Sequence, residues 1–136
     1  MAKAQGARRP LVPWLFIGDL IVLLVFVGLG MTSHRTWDGP WSLLPTALPF
    51  ALAWVAWGLV VGAFRPAALR SPGAAIARGL FAWVLTVPTG LLLRVLILNR
   101  GPSLIFGLVA FTLGGMMLVA WRGLAGWTAS RRSRHR

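Results

Sequence analysis

The sequence predicts an all-α fold, a polytopic membrane four-helix bundle with both termini cytoplasmic, and three observations lead to it. Hydrophobic residues make up 57% of the 136 residues and charged residues 12%, against roughly 45–50% and 25% in ordinary globular domains. The hydrophobic residues form four stretches of about 20 residues or more, which is the length that crosses a ~30 Å hydrocarbon core. The cations collect in the breaks on one side of these stretches. A soluble fold this small needs more polar surface than the chain can supply, so an integral membrane protein is expected.

The four spans are predicted at about residues 11–31, 43–64, 74–98 and 102–121. The segments between them have helix-stopping and turn-forming sequences. These are Asp38-Gly39-Pro40, Arg65-Pro66, Ser71-Pro72-Gly73 and Asn99-Arg100-Gly101-Pro102.

The distribution of cations predicts the orientation of the spans. Eleven cations fall on the side of the two termini: Lys3, Arg8, Arg9, Arg65, Arg70, Arg78, Arg122, Arg131, Arg132, Arg134 and Arg136. The other side has only Arg35 and Arg100. By the positive-inside rule the transmembrane domain, residues 11–121, lies between two basic cytoplasmic tails, residues 1–10 and 122–136. We expect a multi-pass protein of the bacterial inner (plasma) membrane whose basic segments contact anionic headgroups.

The composition excludes several classes of function. The chain has no cysteine and no glutamate, and its only acids are Asp19 and Asp38. Thiolate chemistry is therefore excluded, and paired-carboxylate catalysis would need one acid from a span and one from a loop. His34 and His135 fall on opposite sides, so no metal site is predicted. No cofactor, no enzymatic activity and no nucleic-acid binding are expected.

Two charged residues interrupt the apolar spans and form the main candidate site. Asp19 lies in the first span and Arg94 in the third. An unpaired charge in the membrane costs at least ~2.5 kcal/mol, so both are expected to face the bundle interior and to form a buried pair. Arg78, on the same span as Arg94, is the competing partner, and a protonated, unpaired Asp19 is the third alternative.

Other polar and aromatic residues are secondary candidates. Thr86 and Thr89 lie beside Pro88, where threonine hydroxyls are expected to bond carbonyls freed by the proline. His34 is expected at the surface, with a role at the outer end of the bundle as the alternative. Most tryptophans fall at the predicted interfaces, whereas three lie deep in spans two and three, where their N–H groups need partners on other helices. These three are Trp54, Trp57 and Trp83.

The order of several short motifs resembles a prokaryotic family of membrane proteins, domain of unknown function 3054. The motifs are Gly18-Asp19, Phe26, Gly28, Ser33-His34, Thr46, Pro49-Phe50, Trp54, Trp83, Thr86, Gly90, Arg94, Phe106 and Trp121-Arg122. The resemblance covers nearly the whole chain apart from the tails. It implies a small four-span protein of bacteria and archaea, and it implies no known activity.

Three functions are compatible with these features. The favoured hypothesis is a non-enzymatic structural or accessory subunit, acting with a protein partner or as a homo-oligomer. A small proton-coupled transporter is the first alternative, because an acid in the first of four spans is similar to the small multidrug resistance proteins. The second alternative is a protein that binds a pigment, quinone or lipid against the intramembrane tryptophans.

Overall fold

The computed structural model describes residues 11–99, 101 and 104–135, and within them the fold is all-α. Four long helices follow one another: α1 (Pro13–Ser33), α2 (Leu43–Val61), α3 (Pro72–Leu98) and α4 (Leu104–Arg134). Each is long and apolar enough to cross a membrane. The helices alternate in direction, so α1 and α3 begin, and α2 and α4 end, at the same end of the bundle, here called the basal end. The opposite end is called the distal end.

Proline or glycine defines three of the described helix termini. Pro13 and Pro72 each occupy the first turn of a helix, and the Ser71 side chain accepts a hydrogen bond from the Ala74 N–H. Helix α2 ends at Gly62, whose φ of 73° lies in the left-handed region. The Ala63 N–H then bonds to the Gly58 carbonyl and the Gly62 N–H to the Leu59 carbonyl. This is a Schellman motif, which requires glycine at its left-handed position.

The last helix differs most from the prediction. The predicted fourth span ended at residue 121, whereas α4 continues to Arg134 over 31 residues. At about 1.5 Å per residue it is ~46 Å long, well beyond the ~30 Å hydrocarbon core. A π-helical segment, Ala110–Gly114, interrupts it.

Helix α3 packs against α2 and α4, and α1 packs against the same two helices from the other side. The core between them is aromatic and aliphatic, with Phe26, Phe50, Trp54, Trp83 and Leu118 all buried. Large apolar side chains also cover the outside of the bundle. That outward apolar surface is what a lipid-facing bundle requires.

The connection between α2 and α3 folds back into the basal end instead of leaving the bundle. Ala63, Phe64 and Ala68 are all buried. The Phe64 carbonyl accepts a hydrogen bond from the Val12 N–H at 2.8 Å, which ties this connection to the start of α1. A single turn, Pro66–Leu69, then leads into α3.

Candidate functional site

A buried ion pair between Asp19 of α1 and Arg122 of α4 is the most distinctive polar feature of the described residues. Arg122 Nε donates to Asp19 Oδ1 at 3.0 Å, and Arg122 Nη2 donates to Asp19 Oδ2. Asp19 is 2% exposed and Arg122 is fully buried. This two-point arrangement of guanidinium and carboxylate is the strongest and most directional form of ion pair available to these side chains.

The remaining polar atoms of the pair are also engaged. Trp121 Nε1 donates to Asp19 Oδ1 at 3.1 Å, and Arg122 Nη1 donates to the Ala63 carbonyl at 2.7 Å. The guanidinium carbon also lies 5.6 Å from the Trp54 ring centroid and 5.9 Å from that of Phe64. The pair therefore joins α1, α4 and the folded-back connection in one contact, with aromatic faces around the cation.

Two glycines create the space that the pair occupies. A Cβ on Gly18 would stand 1.9 Å from the Trp121 ring, so only glycine lets this indole reach the neighbouring Asp19. A Cβ on Gly79 would stand 3.1 Å from Arg122 Cδ, so Gly79 lets the arginine stem pass close to α3. Residues of α1, α3 and α4 thus shape the site together.

The expected buried Asp–Arg pair is present, but the partner predicted for Asp19 was wrong. Asp19 pairs with Arg122, and neither Arg94 nor Arg78 reaches it. The Arg94 guanidinium instead lies 4.6 Å from the Phe106 ring centroid, and Arg78 Nη1 donates to the Gly62 carbonyl at 3.3 Å. An Asp19 without a partner, the third alternative, is excluded by the same geometry.

Depth in the bundle explains why Arg94 does not pair with Asp19. Asp19 lies six residues after the start of α1 and Arg94 lies 22 residues after the start of α3. Both helices begin at the basal end, so the two backbones differ by ~24 Å along the bundle at 1.5 Å per residue. That gap exceeds the reach of an arginine. Arg78 lies at the depth of Asp19, but it faces the end of α2.

Arg122 was missed because it follows the last strongly apolar run and so resembles a cytoplasmic flank. Residues 123–130, however, contain only small, apolar and hydroxyl side chains and no proline, which was a usable signal that the helix continues. Side chains on a helix tilt toward its N-terminus. Because α1 and α4 run in opposite directions, Asp19 leans toward the basal end and Arg122 away from it, and the two converge.

The three intramembrane tryptophans all lie within the bundle, and two of them hydrogen-bond to other helices. Trp57 Nε1 donates to the Thr89 hydroxyl at 2.9 Å, and Trp83 Nε1 donates to the Phe111 carbonyl, in the π-helical segment, at 3.2 Å. Trp54 is 1% exposed, and its Nε1 has no hydrogen-bond acceptor among the described residues.

A small cavity lies beside the ion pair. Its volume is about 10 Å³, and its lining includes Asp19, Phe26, Trp54, Trp83 and Gly114. That volume is close to the minimum for one water molecule. No space for a pigment or quinone exists at this point of the described structure.

The secondary polar candidates are not part of this site. His34 is exposed beyond the last turn of α1, at the distal end. Thr86 is buried, but its hydroxyl has no partner among the described residues. Thr89, rather than Thr86, bonds a carbonyl in the turn before it, that of Leu85.

The comparison with protein families identifies the chain. The model of the family described as "Protein of unknown function (DUF3054)" matches residues 16–125, so the chain belongs to this family. The match includes both Asp19 and Arg122. Comparisons with curated proteins and with solved structures returned no significant match.

Proposed function

We propose that this chain is a non-enzymatic structural or accessory subunit of the bacterial plasma membrane, with both termini in the cytoplasm. Its basal arginines would contact anionic headgroups, and its lipid-facing surface would meet a protein partner or a second copy of the chain. The observation that supports a structural role is the saturation of the Asp19 carboxylate, since both of its oxygens accept hydrogen bonds from Arg122 or Trp121.

The same observation weighs against transport through Asp19. A carboxylate that alternates between a proton and a cationic substrate must be free to exchange one for the other. Here a buried arginine neutralises it, and the adjoining cavity of about 10 Å³ admits no organic cation. Buried ion pairs are better evidence for structural specificity than for net stability.

Flux measurements in proteoliposomes separate the two functions. The purified chain and its Asp19→Asn variant are reconstituted with an internal pH indicator, and a pH gradient is applied with and without a membrane-permeant cation. We expect both to match protein-free vesicles. Proton or cation movement by the natural chain that is lost in Asp19→Asn would establish the transporter instead.

The accessory role has its own test. The chain is expressed at its natural level, extracted in mild detergent, and sized by native electrophoresis beside purified chain in the same detergent. We expect a defined complex larger than the monomer: one larger than the purified chain indicates a partner, and one that migrates with it indicates further copies. Migration as a 14.7 kDa monomer in both samples would contradict this.

A further inference from the structure

Two arginines converge on one point of the basal end, outside the Asp19–Arg122 site. Arg78 Nη1 lies 3.1 Å and Arg65 Nε lies 3.7 Å from the position that a Cβ on Gly62 would take. The two nitrogens are therefore within about 7 Å of each other. Arg65 is exposed and Arg78 is half-buried. Gly62 is itself buried, so the two arginine side chains lie against its backbone and bring two cations together above the end of α2.

The described part of the chain supplies no counter-charge for these two cations. Its only acids are Asp19, which is engaged by Arg122, and Asp38, which lies between α1 and α2 at the distal end. Residues outside the described ranges contain no acid either. Among the described residues, Arg78 makes one polar contact, to the Gly62 carbonyl, and both guanidinium groups keep N–H donors for an external anion.

We propose that Arg65 and Arg78, held side by side over Gly62, form a discrete binding site for the phosphate of an anionic phospholipid. Two guanidinium groups at this spacing provide the planar, multidentate donors that phosphate oxygens accept best. The apolar surface next to them favours a lipid over a free phosphate. Leu59 and Val60, in the last turn of α2, are 46% and 75% exposed, where an acyl chain would lie.

This proposal deepens the proposed contact of the basal arginines with anionic headgroups and does not depend on the role of Asp19. It differs from diffuse attraction, to which every basal arginine contributes about equally. If the site is discrete, lipid affinity is lost mainly when Arg65 and Arg78 are substituted. The exposed arginines at the end of α4, Arg131 and Arg132, provide the matched control.

Native mass spectrometry of the detergent-solubilised chain tests the site. The natural chain is titrated with phosphatidylglycerol, with phosphatidylcholine, and with glycerol phosphate as the soluble headgroup alone. We expect one phosphatidylglycerol adduct that survives activation, tenfold or more weaker adducts with phosphatidylcholine, and no retention of glycerol phosphate. Equal retention of the two lipids would refute the site, and retention of glycerol phosphate would show a phosphate site without a lipid requirement.

Variants locate the adduct. Arg65→Gln with Arg78→Gln is expected to weaken phosphatidylglycerol binding at least tenfold, whereas Arg131→Gln with Arg132→Gln changes it less than threefold. Arg65→Gln alone, at an exposed side chain, guards against loss of fold and is expected to weaken binding severalfold with an unchanged melting temperature. An equal decrease in phosphatidylglycerol binding in both double variants would refute the site and show diffuse attraction instead.

Discussion

At the scale of single residues, the complete burial of the Asp19–Arg122 pair determines what the loss of either charge costs. Arg122 is fully buried, and all three of its side-chain nitrogens donate hydrogen bonds, two of them to Asp19 and one to the Ala63 carbonyl. Removing one partner of such a pair leaves the other charge buried without compensation. Removing both charges leaves no uncompensated charge in the core.

A double-mutant cycle measures this coupling. Asp19→Asn and Arg122→Gln are each expected to lower the free energy of unfolding by about 3–5 kcal/mol, because each leaves one buried charge. The double variant is expected to lose clearly less than the two single losses together. Unfolding in mixed detergent micelles, followed by tryptophan fluorescence, gives the three values. Additive losses would mean that the two residues act independently.

Gly18 provides a second test that leaves both charges in place. Gly18→Ala puts a Cβ where the Trp121 ring lies, at 1.9 Å, so the indole must leave its position against Asp19. We expect a loss of about 1–3 kcal/mol in unfolding free energy, as for other overpacked sites. Gly30→Ala, in the same helix, has nothing within 4 Å of its Cβ and is the control, with stability unchanged or slightly raised. Equal effects in both variants would contradict the steric argument.

At the scale of elements, α4 beyond Arg122 is a packed part of the bundle and not a free tail. Gly126 is buried, and a Cβ there would lie 2.8 Å from Pro72 Cα and 3.0 Å from the Ser71 carbonyl oxygen. These are backbone atoms at the start of α3, which cannot rotate away as a side chain can. The end of α4 and the start of α3 therefore fix each other's position.

This contact predicts a sharp contrast between two glycines of α4. Gly126→Ala is expected to displace the end of α4 and to lower the melting temperature by several degrees. A Cβ on Gly123 would lie 3.4 Å from its nearest neighbour, Ile76 Cδ1, which is an ordinary contact. Gly123→Ala is therefore expected to change the melting temperature by no more than about a degree or to raise it, since alanine favours the helix. Differential scanning fluorimetry in detergent compares the two. A Gly126→Ala melting temperature equal to that of Gly123→Ala would show that the contact does not form.

The elements also show what sequence reasoning reached and where it stopped. Helices α1 and α3 begin at Pro13 and Pro72, and proline in a first turn is a local signal that a sequence carries. Helix α4 continues past residue 121, the end of the predicted span, because hydropathy reports where lipid contact ends and not where the helix ends. The partner of Asp19 was missed for a related reason. Choosing among Arg78, Arg94 and Arg122 requires relative depth and facing of helices, which hydropathy does not encode.

Small-residue pairs illustrate the same limit. Gly58 and Gly62 have the spacing of a helix-contact motif, but neither has the backbone of another helix among the atoms nearest to it. Gly58 makes room for the Phe64 ring, since a Cβ there would lie 2.4 Å from it, and Gly62 ends the helix. Gly114 similarly accommodates Trp83. In this bundle, glycines admit large aromatic side chains, and the spacing alone does not reveal it.

At the scale of the whole molecule, the predicted orientation depends on how the cations are distributed along the sequence. Arg122 is buried and so leaves the set of eleven cations on the basal side, where ten remain against Arg35 and Arg100. Ten against two still predicts a cytoplasmic basal end by the positive-inside rule. Because the described residues form four helices that are long and apolar enough to cross a membrane, one measurement at each end tests the whole topology.

The natural absence of cysteine makes that measurement direct. Ser133→Cys, exposed near the end of α4, and Thr36→Cys, exposed between α1 and α2, introduce single thiols at opposite ends. In intact cells, a maleimide that permeates only the outer membrane is expected to label Thr36→Cys and not Ser133→Cys, while both are labelled after lysis. The reverse pattern would place the basal arginines outside, and equal labelling of both in intact cells would indicate dual orientation. Either result would also mean that Arg65 and Arg78 do not face the anionic cytoplasmic leaflet in every copy of the protein.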